Sequence, residues 1–157
     1  MLQKYLLIFF VSMVPLIELR GSIVMAVGMD LDYFTALTVS VLGNMLPVPI
    51  IYFFARKVLV WGADKKYIGK FFRFCLEKGE RGGQKLVAKA GRGGLFVALM
   101  LFVGIPLPGT GAWTGTLAAS FLNMGIKATA AAVSLGVIMA GIIMGIASTG
   151  VFSVIGL

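Results

Sequence analysis

Glu18 and Arg20 are two ionisable side chains, two residues apart, set just after Pro15 in an otherwise apolar stretch. A charge at membrane depth is costly enough to be read as functional. Residues two apart on a helix point to different sides, so separate partners are expected rather than a direct ion pair. Arg20 presents a rigid fork that suits phosphate or carboxylate, and a buried Glu18 carries a proton that transport could couple to. The second concentration of chemistry is Ile105–Gly115, IPLPGTGAWTG. Pro106, Pro108, Gly109, Gly111 and Gly115 fall too close together for a regular helix. The run Pro108-Gly109-Thr110-Gly111 would leave unpaired amides at the start of a half-helix, with its positive dipole end towards the membrane midplane. With Arg20 these amides make an anion site. Trp113 and Thr114 line or pack it, core packing being the main reading for Trp113. The plainer alternative is that Glu18 and Arg20 satisfy each other and the opposite break.

The elements that must position these groups follow from composition. The 157 residues are 59% hydrophobic and 13% charged, with a mean hydropathy of +1.00. Soluble domains carry about 25% charged residues, so this is an integral membrane protein. One cysteine, Cys75, excludes an intramolecular disulfide, and the absence of histidine removes the commonest metal ligand. There is no cofactor fingerprint and no catalytic constellation, and no enzyme is expected. Between Arg56 and Arg92 lie eleven Lys/Arg and three acids, which account for the whole net charge of +8. Such a loop stays cytoplasmic. A nucleic-acid partner is not expected, because no stacking or base-reading feature accompanies the charge.

The apolar runs Tyr5–Ile17, Gly21–Met29 and Leu95–Ile105 are each shorter than the ~20 residues a spanning helix needs. They read as half-depth segments. Tyr33–Ala55 is long enough to span, with Asp32 as its cap and with Asn44, Pro47 and Pro49 interrupting it. Either this is a kinked helix whose neighbours repair the lost bonds, or Asn44 and freed carbonyls line a cavity beside Glu18 and Arg20. Ile68, Phe71, Phe72, Cys75 and Leu76 form one face of an amphipathic interfacial helix. Gly79–Gly83 and Gly91–Gly94 read as joints around a second short basic helix. Ala128–Leu157 spans, and its Gly141-x-x-x-Gly145 serves either packing within the chain or dimerisation.

Pro15-Leu16 set over Pro106-Leu107 makes the chain read twice, with Gly43 over Gly136 at a spacing longer by two. The expected architecture is therefore one all-α membrane domain over 1–157. It is an inverted repeat, with repeat 1 at 1–60, a basic loop at 61–92 and repeat 2 at 93–157. Each half is a re-entrant helical hairpin plus a transmembrane helix. Discontinuous segments at matching positions of two halves point to a transporter's site. A rival arrangement lets all four apolar blocks span.

Glu18-Leu19-Arg20-Gly21, Gly43-Asn44-x-x-Pro47-x-Pro49 and Pro106-Leu107-Pro108-Gly109-Thr110-Gly111-Ala112-Trp113-Thr114-Gly115 resemble motifs of the small multidrug export family of prokaryotic membrane proteins. That family in turn resembles the DedA (VTT) superfamily, with two opposed re-entrant hairpins and an association with lipid scrambling or polyprenyl-phosphate transport. The resemblance implies that Pro15, Glu18 and Arg20 match the hairpin proline, acid and basic positions. Where the DedA pattern has arginines in its second hairpin, this sequence has Gly109 and Gly111. The expected function is a homodimeric transporter or flippase of the prokaryotic inner membrane. It would move an amphiphilic anion, polyprenyl phosphate or phospholipid, coupled to protons through Glu18. The alternatives are a proton-coupled exporter of lipophilic cations and a non-transporting scaffold.

Overall fold

The computed structural model describes residues 1–107 and 109–155. Pro108 and the last two residues of the expected 128–157 span lie outside the described residues, as does the Cys75 side chain. Helix α1 covers Leu2–Met13, α2 Glu18–Gly28, α3 Tyr33–Met45, α4 Pro47–Ala63, α5 Gly69–Gly104, α6 Ala112–Phe121 and α7 Ile126–Ile155. No strand occurs among the described residues. Tyr33–Ala63 and Ile126–Val151 are long and apolar enough to cross a membrane.

Both breaks form for one reason. A residue before proline is pushed out of the helical region by the proline ring. Val14, before Pro15, is extended at φ −72°, ψ 128°. Ile105, before Pro106, is extended at φ −78°, ψ 118°. Helices α1 and α5 therefore end at equivalent points, 91 residues apart. The prolines of the first long helix act differently. Leu46 keeps a right-handed backbone (φ −61°, ψ −41°) and its N–H still reaches the Leu42 carbonyl at 3.3 Å. Pro47 and Pro49 sit in the first turn of α4, where proline is tolerated. The result is a junction rather than a break.

The correspondence between the halves extends well beyond the prolines. In α3, a Cβ at Gly43 would strike Ser12 and the Phe9 carbonyl of α1; in α7, one at Gly136 would strike Val103 and the Met100 carbonyl of α5. Phe9 and Met100 each lie six residues before their proline, and Ser12 and Val103 each lie three before it. Past the breaks the spacing becomes 93. Leu19, Ser22, Ile23 and Ala26 are buried in α2, and Ala112, Gly115, Thr116 and Ala119 in α6. The turn that follows repeats as well. Asp30 and Asn123 both adopt left-handed φ, 54° and 56°. Leu31 donates to the Ala26 carbonyl at 3.0 Å, and Met124 to the Ala119 carbonyl at 2.9 Å. The main core joins α2, α5, α6 and α7 through Leu19, Ile23, Leu99, Val103, Ala112, Val133 and Val137.

Two local expectations change. Gly79–Gly83 is not a joint: α5 runs through it as helix, and the departure comes at Gly91, with φ 69° and ψ 177°. Glycine can remain helical when its neighbours are good helix formers, whereas a left-handed φ strongly favours it. The stripe Ile68, Phe71, Phe72, Leu76 is also divided. Phe72 is half-buried and its ring fills the notch at Gly62 of α4, while Ile68 and Phe71 stay exposed. The Gly141-x-x-x-Gly145 notch is filled from within the chain, by Leu37 and Leu19 at Gly141 and by the Tyr33 ring at Gly145. That removes the motif as a reason for dimerisation.

Candidate functional site

The two breaks meet, and side chains of each take backbone groups that the other leaves unpaired. Glu18 begins α2 with left-handed φ of 50°, and its carboxyl group is directed across to α6. Oε2 accepts the Ala112 N–H and Oε1 accepts the Trp113 N–H, both at 3.1 Å. These are first-turn amides of α6, donors that no intrahelical carbonyl can reach. A carboxylate here also meets the positive end of the helix dipole. Glu18 is only 6% exposed, so both bonds form away from water, where charge-assisted hydrogen bonds are strongest.

Gly111 is what admits Glu18. Its backbone is extended (φ 177°) and open to any residue, but a Cβ there would overlap the Glu18 carboxyl group. Gly109 serves the turn instead, with φ 79° in the left-handed region and open space where a Cβ would stand. Pro106 sets the break, and Pro15 sets its counterpart. Leu16, after Pro15, also has left-handed φ, 74°. Two non-glycine residues in this region, Leu16 and Glu18, each store about 1–2 kcal/mol of strain. The cross-break bonds must hold them there.

Arg20 goes to the other side of the second break. Nη1 donates to the Leu107 carbonyl at 2.5 Å, and Nη2 donates to Thr110 Oγ1 at 2.9 Å. Nη2 also lies 3.3 Å and 3.4 Å from the Ile105 and Val103 carbonyls. These carbonyls belong to the C-terminal end of α5 and the turn beyond it, the negative end of that helix. Thr110 Oγ1 stands 2.9 Å from both the Ile105 and Leu107 carbonyls and tightens the turn. No ion pair joins Arg20 to Glu18 among the described residues. Separate partners, as expected from their two-residue spacing, is the arrangement found.

Trp113 completes the exchange. Its indole N–H donates to the Met13 carbonyl at 3.2 Å, capping the end of α1. Trp113 and Arg20 are 93 residues apart, so equivalent positions of the two halves each cap the helix that ends at the other half's break. Core packing alone did not anticipate this bond, but the residue spacing could have. Thr114 is half-buried and bonds within its own helix, to the Gly111 carbonyl at 3.4 Å. Asn44 makes no hydrogen bond to this cluster. It is 2% exposed, its Oδ1 has no hydrogen-bond partner, and it shares the buried face of α3 with Ala36, Ser40 and Gly43. No bond joins it to Glu18 or Arg20. No cluster of residues suited to a metal occurs among the described residues.

The Glu18 carboxylate occupies the amides of Ala112 and Trp113, just beyond the run 108–111 expected to supply them, while the Thr110 N–H stays within its turn on the Leu107 carbonyl. A helical fold with two apolar spans, and broken helices whose polar ends meet one another, is that of a membrane protein. The chain belongs to the family described as "Putative small multi-drug export protein", which matches residues 18–143. The match begins at Glu18 and takes in both breaks' charged and glycine residues. Comparison with curated proteins and with solved structures gives no match.

Proposed function

We propose that this protein is a membrane transporter for an amphiphilic anion, such as a polyprenyl phosphate or phospholipid, with Glu18 as its proton-exchanging group. The observation that carries this reading is the pair of α6 amides closed on the Glu18 carboxylate. Two N–H groups at a helix start, with the space left by Gly111, are complementary to an anion. Their occupant is a side chain that can be neutralised. Protonation of Glu18 weakens both bonds and its attraction to the helix end. An anionic headgroup then replaces it, with Arg20 adjacent, and deprotonation returns Glu18 to the amides.

In this reading the halves at 1–60 and 93–157 form an inverted repeat of re-entrant hairpins in the prokaryotic inner membrane, with the 56–92 loop cytoplasmic. The reciprocal capping by Arg20 and Trp113 supports it. A two-fold relation makes residue i of one half meet residue j of the other, and j meet i. The left-handed pair Asp30 and Asn123 supports the same relation.

Export of lipophilic cations by the same carboxylate is the second reading. Arg20 spends its fork on carbonyls rather than on Glu18, so it need not repel a cation held there, and the family description names multi-drug export. Proteoliposomes under an imposed pH gradient separate the two. Uptake of a short-chain prenyl phosphate that is lost in Glu18→Gln and Arg20→Ala is expected. Uptake of tetraphenylphosphonium that is lost in Glu18→Gln but kept in Arg20→Ala would replace the anion reading.

A further inference from the structure

A second site stands at the opposite end of α6. A cavity of about 820 Å³ lies between the Gly91 bend of α5, the α6–α7 turn and the first turn of α7. Its volume is in the range of small-molecule pockets, ~300–1,000 Å³. The ten residues of α6 separate it from the Glu18 cluster by about 15 Å. Its walls divide by chemistry. Leu95, Leu122 and Met124 are apolar, while Arg92, Lys127 and Gln84 offer hydrogen-bond donors, and no acid lines it among the described residues. A third cation stands at the rim, where Arg56 of α4 bonds the side chain of Asn123, itself a lining residue.

Like charges converging from separate elements repel one another, and the fold gains nothing from holding them together without a counter-ion. Arg92 and Lys127 come from α5 and α7 respectively. The one ion pair among the described residues is Arg81–Glu77, about one turn before Gln84 on α5, and it takes in neither Arg92 nor Lys127. Gly91 has the left-handed φ that bends α5 one residue before Arg92. The equivalent turn of the first half, 93 residues earlier, carries Asp30 and Asp32 where this one carries Asn123 and Gly125. The first-half turn thus carries two acids, with Lys4 on the Met29 carbonyl beside them, and the second-half turn carries none. The adjoining part of α5 and its approach expose Tyr67, Ile68 and Phe71 beside Lys66, Lys70 and Arg73, a composition suited to lying at the headgroup level.

We infer that this cavity binds a phosphate-bearing amphiphile, its headgroup between Arg92 and Lys127 and the start of its chain against Leu95, Leu122 and Met124. The inference does not rest on the transport reading. A free phosphate would use the cations alone and leave the apolar wall unexplained, so a lipid is the ligand expected.

Native mass spectrometry of the full-length protein in neutral detergent tests it, with phosphatidylglycerol, phosphatidylcholine and inorganic phosphate as separate probes. One retained phosphatidylglycerol per chain is expected, in preference to phosphatidylcholine. Arg92→Gln with Lys127→Gln should weaken retention about 30-fold, from the two charges lost. Arg92→Lys should retain most of it, and Lys70→Gln with Arg73→Gln, on the exposed stripe, should leave it unchanged. Retention lost in Arg20→Ala but kept in the double glutamine variant would place the lipid at the Glu18 cluster and overturn the inference. Equal retention of both lipids, or no loss in the double glutamine variant, would overturn the inference. Inorganic phosphate binding as tightly as the lipid would overturn the amphiphile assignment.

Discussion

Gly111→Ala isolates the contact on which the cluster depends. Because the Gly111 backbone is extended at φ 177°, alanine meets no conformational penalty of its own. Its cost is steric, since the new methyl overlaps the Glu18 carboxyl group and expels it from the Ala112 and Trp113 amides. Each charge-assisted bond contributes about 1–3 kcal/mol, the lower figure being typical between helices in membranes. Loss of both should cost about 2–6 kcal/mol. Gly109→Ala is the contrasting change. It meets no neighbour but must hold φ 79°, so about 1–2 kcal/mol is expected.

The cycle with Glu18→Ala separates steric expulsion from a general fault in the turn. Once the carboxyl group is gone, Gly111→Ala has little left to displace and should add less than about 0.5 kcal/mol, whereas independent sites add in full. Unfolding in mixed micelles, followed by the fluorescence of Trp61 and Trp113 and by far-ultraviolet circular dichroism, gives all four corners. Additive losses would refute the claim that Gly111 exists to admit Glu18. A Gly111→Ala cost no larger than that of Gly109→Ala would refute it too.

Three further outcomes are expected. The Asp32 carboxyl caps α3 by accepting from the Thr35 hydroxyl and amide, at 2.6 Å and 2.8 Å, and these bonds hold it below its ordinary value of 3.8, the hydroxyl bond first. Its contribution is therefore complete above the ordinary carboxylate range and disappears as pH falls through the lowered value; unfolding midpoints followed down to pH 2.5 should show this loss in the wild type and not in Asp32→Asn. Single cysteines in a Cys75→Ser background should place Asp30 within reach of an impermeant thiol reagent added to intact cells and leave Lys66 and Lys127 protected; a labelled Lys127 would favour four full spans. Gly145→Ile drives a side chain into the Tyr33 ring and should lower the unfolding midpoint without altering the oligomeric state, which size exclusion with light scattering reads.

Proline chemistry made both breaks legible in the sequence, because the restriction on Val14 and Ile105 is local and needs no knowledge of neighbours. The cap at Asp32 was legible for the same reason. Gly79–Gly83 was not, since glycine permits a joint without requiring one, and only the surrounding residues of α5 decide. Nor could the sequence show that the amides after Gly111 are already occupied. Glu18 lies 94 residues before Ala112, and its reach depends on a left-handed backbone that the residue type does not advertise. Asn44 was plausible beside the charges, but it shares the buried α3 face with Ser40 and Gly43 and makes no hydrogen bond to Glu18 or Arg20.

The asymmetry within the matching halves bears most on mechanism. At a spacing of 93, the position equivalent to Glu18 is Gly111, the residue whose missing Cβ makes room for it. Equivalent positions touch each other only near a two-fold axis, so the contact itself supports an inverted relation between the halves. One half supplies the acid and the other supplies the amides and the space. A symmetric pair of acids would repel, and a symmetric pair of glycines would leave the amides to water or substrate. The arrangement found gives the Ala112 and Trp113 amides a resident carboxylate. On the proposed transport reading, this would keep the anion receptor from standing empty and would tie its opening to uptake of a proton by Glu18.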